Sequence, residues 1–317
     1  MTITVLGHLC IDTIPGDKSG GEVPAQDQFG GILYSVSALA NLMPDSDEVV
    51  PVFGVGEEDH DRLMEFLSGY PNVETKGIYK LTTPTNRVHL FYEADGQRRI
   101  ECSRHISDPI PFERVKPFLN VDGVLVNMIS GQDIALATLD AIRMETRDRH
   151  IPIHLDIHSL SQGIGPEGTR FRRPVIDWRR WCFMLHSIQM SEEEAAGLTS
   201  ERYDETQLTN QLMPLMVESL LITRGWRGVT LIRQEHKVLT RHDIPGARQG
   251  EAPHPTGCGD VFGAAYLYMY VKTKDPVAAA RFANRAAAWK AGVNGPGALK
   301  GLGQALATAE TEEPGTP

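Results

Sequence analysis

His254-Pro255-Thr256-Gly257-Cys258-Gly259-Asp260, followed by the apolar run Val261-Phe262-Gly263-Ala264-Ala265-Tyr266-Leu267, puts small residues and one carboxylate where a helix begins. Small residues at 257 to 259 let successive N–H groups point inward unobstructed. The helix that follows adds the positive end of its dipole, so the turn can hold an anion. Asp260 then stands beside that anion as a candidate base. Bare amides with an adjacent base are what phosphoryl transfer to a hydroxyl requires.

Upstream of this turn, apolar β-rich runs at 2–6, 49–55, 123–126, 151–157, 182–185, 220–223 and 228–232 alternate with helix-like stretches at 32–43, 61–67, 132–149 and 207–217. That alternation predicts β-α-β units and an α/β fold around a mostly parallel central sheet flanked by helices. Three helices, at 261–271, 276–291 and 298–308, are expected to close the chain, and 310–317 reads as a flexible tail after a domain at 1–309. Two segments break the alternation: 12–30, rich in Gly, Pro and Asp, and 80–105, which reads as a hairpin turning at Asp95-Gly96. Inserted extended pieces of this kind suit a small β lid.

The chain has 317 residues, 41% hydrophobic and 23% charged, enough for one large α/β domain with an appendage. Its net charge of −10 argues against nucleic acid or an anionic membrane as a partner. Cys10, Cys102, Cys182 and Cys258 show no C-x-x-C spacing, which suggests neither zinc nor a disulfide framework and fits a cytoplasmic location. No apolar run approaches the length of a membrane span, and the first residues lack the pattern of a signal peptide.

The segment at 254–260 resembles the C-terminal signature of the ribokinase-like (PfkB) carbohydrate kinases, D-T-x-G-A-G-D, with His254 for the first Asp and Cys258 for the Ala. The resemblance implies that Asp260 takes the proton from the acceptor hydroxyl while Gly257, Cys258 and Gly259 supply the anion hole. It extends to Gly30-Gly31 before the helix at Ile32, to Asp12, and to Leu221-Ile222-Thr223-Arg224-Gly225-Trp226-Arg227-Gly228, which is similar to the family's T-x-G-x-x-G strand-turn-strand. It thereby implies acceptor binding by Asp12, Gly30 and Gly31, and nucleotide binding by Thr223, Gly225, Gly228 and Asn284. Ser191-Glu192-Glu193-Glu194-Ala195 resembles the N-x-x-E-A element, which implies that Glu194 stands in the outer shell of Mg2+.

Each element also has an ordinary structural reading. A Gly pair beside a solvated Asp is a common turn, and a Ser followed by three acids is a helix N-cap with charges that favour the dipole. A strand ending in a Gly turn occurs in any α/β protein, and the Ala-rich helix around Asn284 would serve as plain core. His154, Asp156 and His158 alternate along a strand and could meet a transition metal, a reading set against the match of Asp156 to the family's strand-end Asp. Cys258 near a helix start could be a nucleophile, but no spaced His or Asn partner accompanies it.

The pattern departs from the family at three points. His254 cannot supply the carboxylate through which many members bind an activating monovalent cation, which counts against potassium activation. Ser35 replaces the Asn expected after Gly30-Gly31, and Ser191 replaces that of N-x-x-E-A. Arg87, Arg98, Arg99 and Arg104 near the lid raise the question of an anionic acceptor. No P-loop, nucleophile elbow or H-E-x-x-H is present, and the spacing of Gly257, Gly259 and Gly263 is not that of a dinucleotide fingerprint. The expected function is ATP-dependent phosphorylation of a small sugar or polyol. The alternatives are a nucleoside kinase of the same fold, with Tyr34, Phe91 and Tyr92 available to a base, or a silent nucleotide or sugar sensor. The family's lid often mediates dimers, so the resemblance admits a homodimer.

Overall fold

The structure is a computed structural model that describes residues 1–14, 26–92, 99–235, 238–247 and 254–312. Its strands in chain order are β1 (Thr2–Leu6), β2 (Leu9–Ile14), β3 (Gln26–Gly31), β4 (Glu48–Gly56), β5 (Ile78–Leu81), β6 (Asn86–Tyr92), β7 (Arg99–Arg104), β8 (Gly123–Val126), β9 (Ile153–Asp156), β10 (Gln162–Ile164), β11 (Arg170–Arg172), β12 (Ser187–Ser191), β13 (Ser219–Thr223), β14 (Gly228–Glu235) and β15 (Val238–Pro245). A nine-stranded sheet runs β15-β14-β13-β12-β9-β8-β1-β4-β5. It is parallel from β13 to β5, and only β14 and β15 run antiparallel. Its central strands are buried along their length, as expected of a sheet covered on both faces.

A second sheet, β3-β2-β6-β7, stands off this core as the lid. β2 pairs antiparallel with β3 and parallel with β6, and β6 pairs antiparallel with β7 from Arg87↔Arg104 to Tyr92↔Arg99. The expected turn at Asp95-Gly96 lies outside the described residues. The hairpin β10-β11 meets the lid where the Ser103 N–H donates to the Gly168 carbonyl at 2.8 Å.

Several expected elements are displaced. The run 182–185 is not a strand: Cys182 ends a short helix, Trp178–Cys182, and the strand follows at Ser187–Ser191. Trp178 and Trp181 are buried by that helical turn, and Met184 takes a positive φ of 53°, which a strand does not allow. The helix expected at 132–149 spans Leu136–Thr146, because the Asp133 carboxylate caps the preceding loop by accepting the N–H groups of His8, Ile129 and Ser130. The helix expected at 61–67 begins at Glu57, directly after β4, where three acids favour its first turn. The last helix, Leu302–Glu312, runs past Thr308 into the stretch read as tail. Among the described residues no helix is long and apolar enough to cross a membrane.

Candidate active site

The carboxyl ends of the parallel strands converge under the lid, the place where open α/β sheets bind ligands. A cavity of about 430 Å³ lies there, bounded by residues of the lid, the strand ends and the turn at 255–260. It has the size and partly apolar wall of a small-molecule site.

At its centre the helix Cys258–Thr273 begins, with Gly257 as its N-cap in the left-handed conformation at φ 87°. A Cβ on Gly257 would lie 2.4 Å from the Tyr34 ring, so both the backbone angle and the packing demand glycine. The Cys258 N–H donates to the Pro255 carbonyl at 3.1 Å, so it is not free to meet an anion as the resemblance implied. Asp260 projects from the first turn, and the Asn127 amide donates to its Oδ1 at 2.7 Å. Burial pushes the Asp260 carboxyl up, opposed by the Asn127 bond and the nearby His158 charge. A half-buried carboxylate with its pKa raised is a stronger proton acceptor than a fully solvated one.

Asn127 also donates to the Ser35 hydroxyl at 2.6 Å, and Ser35 in turn donates to the Asp260 carbonyl at 3.1 Å. Ser35 therefore braces Asp260 through its main-chain carbonyl, whereas the Asn it replaces was expected to reach the acceptor. Sequence reasoning missed Asn127; the available signal was an amide placed directly after the wholly apolar strand β8.

One part of the cavity lies under the lid. Asp12, on β2, is buried, accepts the Cys10 thiol at 3.0 Å, and has its pKa pushed up to about 6 by burial. A Cβ on Gly30 would lie 2.1 Å from Asp12 Oδ2, so the glycine makes room for that carboxylate. Gly31, Val88, Met128 and Ile129 complete this end. Opposite lies an ion pair that the sequence did not suggest: Arg170 Nη1 donates to Glu101 Oε2 at 3.2 Å and its Nε to Ser103 at 2.7 Å. Arg87 is paired with Asp27 at 3.0 Å, Arg98 lies outside the described residues, and the Arg99 side chain is likewise undescribed. Arg104 is exposed.

Another part of the cavity is lined by Thr223, Gly225, Trp226, Gly228, Asn284, Ala287 and Ala291. Gly225 and Gly228 both have positive φ, at 58° and 105°, and Asn284 donates to the Pro245 carbonyl at 2.7 Å, tying its helix to β15. Arg224 pairs with Glu192 and Glu205, which fixes the turn after β13. Of the aromatics proposed for a base, Tyr34 is buried against Gly257, and the side chains of Phe91 and Tyr92 lie outside the described residues.

Between the two ends, Glu194 forms a capping box with Ser191. Its Oε1 accepts His158 Nδ1 at 2.7 Å and Arg172 Nη1 at 3.1 Å, and its Oε2 accepts the Ser191 N–H at 2.7 Å. Burial raises the Glu194 pKa, but His158 and these donors outweigh it, so the group is held ionised and His158 is correspondingly pushed up. Asp156 accepts the His158 N–H and the Gln189 amide, and Gln189 also donates to the Gly259 carbonyl at 3.0 Å, linking strand end to anion turn. His154 points elsewhere: it is buried against Ser187 and Gln189, with its pKa lowered to about 4 by burial. Among the described residues no group of three or more His, Cys, Asp and Glu could hold a metal directly.

The model for the pfkB family carbohydrate kinases matches residues 181–300. Ribokinase of Bacillus subtilis (strain 168) is 26% identical over 291 residues, which cover 90% of this chain and 83% of that protein. Among solved structures, a sulfate complex of a pyrophosphate-dependent kinase in the ribokinase family has a TM-score of 0.75 at 17% identity, over 93% of this chain and 97% of that one. A nucleoside kinase from Burkholderia thailandensis in complex with inosine has a TM-score of 0.70 at 17% identity over the full length of both chains.

Proposed function

We propose that this chain, whose fold is the ribokinase fold and whose C-terminal part carries the pfkB family carbohydrate kinase pattern, transfers a phosphoryl group from ATP to a hydroxyl of a small sugar or polyol. The observation that carries the reading is the half-buried Asp260 at the start of the helix, braced by Asn127 and Ser35 beside the Gly257–Gly259 turn. In this reading Asp260 accepts the acceptor's hydroxyl proton as that oxygen bonds to the terminal phosphorus and the bridging oxygen leaves with the nucleoside diphosphate. The backbone amides of the turn meet the charge on the transferring group. The alanine-lined part of the cavity takes the nucleotide base, with Thr223, Gly225, Gly228 and Asn284 around it.

A hydrated magnesium ion suits this site better as a passenger of the donor phosphates than as a resident. Glu194 would stand behind its waters, since three of the roughly four acceptor positions of a carboxylate are taken by His158, Arg172 and Ser191. Bound there, the ion would neutralise phosphate charge.

The part under the lid, read as the acceptor end, supports an uncharged substrate. Arg170 is matched by Glu101, and Asp12 adds a further carboxylate, so no unbalanced cation faces an anionic group among the described residues. Donor consumption from Mg-ATP across pentoses, hexoses, cyclitols, nucleosides and acidic sugars tests the reading. Stimulation by one uncharged polyhydroxy compound is expected; ATP binding with no stimulated turnover would favour the sensor alternative.

A further inference from the structure

Lys290 is the last residue of the helix Pro276–Lys290 and is fully buried. Its Nζ donates to the His254 carbonyl at 3.2 Å and the Val293 carbonyl at 3.0 Å, and lies 5.3 Å from the centre of the Tyr34 ring. That ring is the surface on which Gly257 packs. Among the described residues Lys290 forms no ion pair with a carboxylate. The His254 N–H also donates to the Ala291 carbonyl at 3.2 Å, so the first residue of the anion turn is tied by both its backbone groups to the end of this helix.

An ammonium taken out of water without a carboxylate partner is costly to the fold. Main-chain carbonyls and an aromatic face are the partners that hold a dehydrated monovalent cation in place. We propose that the Lys290 ammonium is a built-in cation behind the anion turn, a positioning residue that does the work of a mobile monovalent ion. This rests on the kinase reading above. His254, Val293 and the Tyr34 ring are already satisfied by Lys290, and the His254 side chain brings no carboxylate, so a separate potassium ion does not fit here. The tethered charge also holds the 254–260 turn against the end of its own helix through the His254 carbonyl, so Asp260 and the amides keep their register at any salt composition.

The test compares turnover in potassium chloride and in tetramethylammonium chloride at equal ionic strength. The wild type is expected to be indifferent to the cation. Lys290→Ala is expected to lose on the order of tenfold in kcat with a smaller change in acceptor KM, the mark of a lost transition-state charge. It should regain part of that loss with potassium or ammonium but not with tetramethylammonium, which is too large for the vacated space. Lys290→Met fills the space and is expected to show no rescue. As a readout independent of turnover, the Tm of Lys290→Ala should rise with potassium while that of the wild type does not. Activation of the wild type by potassium, or a Lys290→Ala loss that no cation repairs, overturns the proposal. If the Ala variant does not fold, the wild-type titration decides alone. If no acceptor is phosphorylated by the wild type, the kinase reading fails and the Tm comparison still judges the cation.

Discussion

Replacing Asn127 with Ala removes the amide that donates 2.7 Å to Asp260 Oδ1, without touching the anion turn. A hydrogen bond to a charged group contributes about 1.5–3 kcal/mol. An energy of that size corresponds to about 10- to 100-fold in the protonation equilibrium of the carboxyl it supports. Loss of the bond moves the Asp260 pKa upward, because burial already raises this carboxyl and the Asn127 bond opposes that rise. A base must be ionised to act, so the acid limb of the kcat/KM profile moves to higher pH, and the variant loses proportionately more activity on the acid side of the profile than on its plateau. The assay is initial rate against pH from 5 to 9 with saturating donor and limiting acceptor, for wild type and Asn127→Ala. The Ser35 contact is lost as well, so kcat at high pH is also expected to fall somewhat. An acid limb that stays in place, or moves down, would refute the assignment of Asn127 as the group that tunes the base.

Asp12→Asn should separate stability from acceptor binding. Asp12 has its pKa raised by burial from 3.8 to about 6, so its ionised form costs the native state about 3 kcal/mol above pH 7. Because the folded pKa exceeds the unfolded one, that cost vanishes below about pH 4, where the acid is protonated in both states. The variant should therefore be more stable than wild type at pH 7 to 8 and equal to it near pH 4 in thermal melts, while acceptor KM rises. Glu101→Gln uncovers the Arg170 guanidinium at the acceptor end. The ratio of kcat/KM for D-gluconate over an uncharged sugar should rise by roughly tenfold through a charge-assisted contact, measured against Ser103→Ala, which loosens the same contact without changing charge. An equal shift in both variants would assign the effect to lid position and remove Glu101 as a selector.

The parallel core was legible because its strands are short apolar runs bounded by turn residues, and the helix at 258 announced itself by the small residues that precede it. The lid could be read from extended segments that interrupt the β-α alternation. Cys182–Leu185 misled because a buried apolar run carries no period that separates strand from helical turn, and two tryptophans upstream decided the matter. The start of the helix at Leu136 was hidden because its boundary is set by Asp133 reaching backbone groups as distant in sequence as His8. Within the site, Gly257 and Gly30 were visible because close packing or backbone angle demands glycine there, Asp260 because it is a carboxylate at a helix start, and Asp12 through the resemblance. Asn127, Arg170 and Lys290 were not, since each acts across the fold on partners far along the chain, which spacing in one sequence cannot reveal. Ser35 was visible as the replacement of a longer amide, but its hydrogen bond to the Asp260 main-chain carbonyl, 225 residues along the chain, could not be read from spacing.

The most direct test of the central claim is Asp260→Asn, assayed for nucleoside diphosphate release with the acceptor that best stimulates the wild type, alongside calorimetric ATP binding. The account predicts a loss of turnover by about 10²–10⁴-fold, the usual contribution of a positioned general base, with ATP affinity little changed. Turnover retained within a few-fold of wild type would contradict it and move the proton acceptor elsewhere in the cavity.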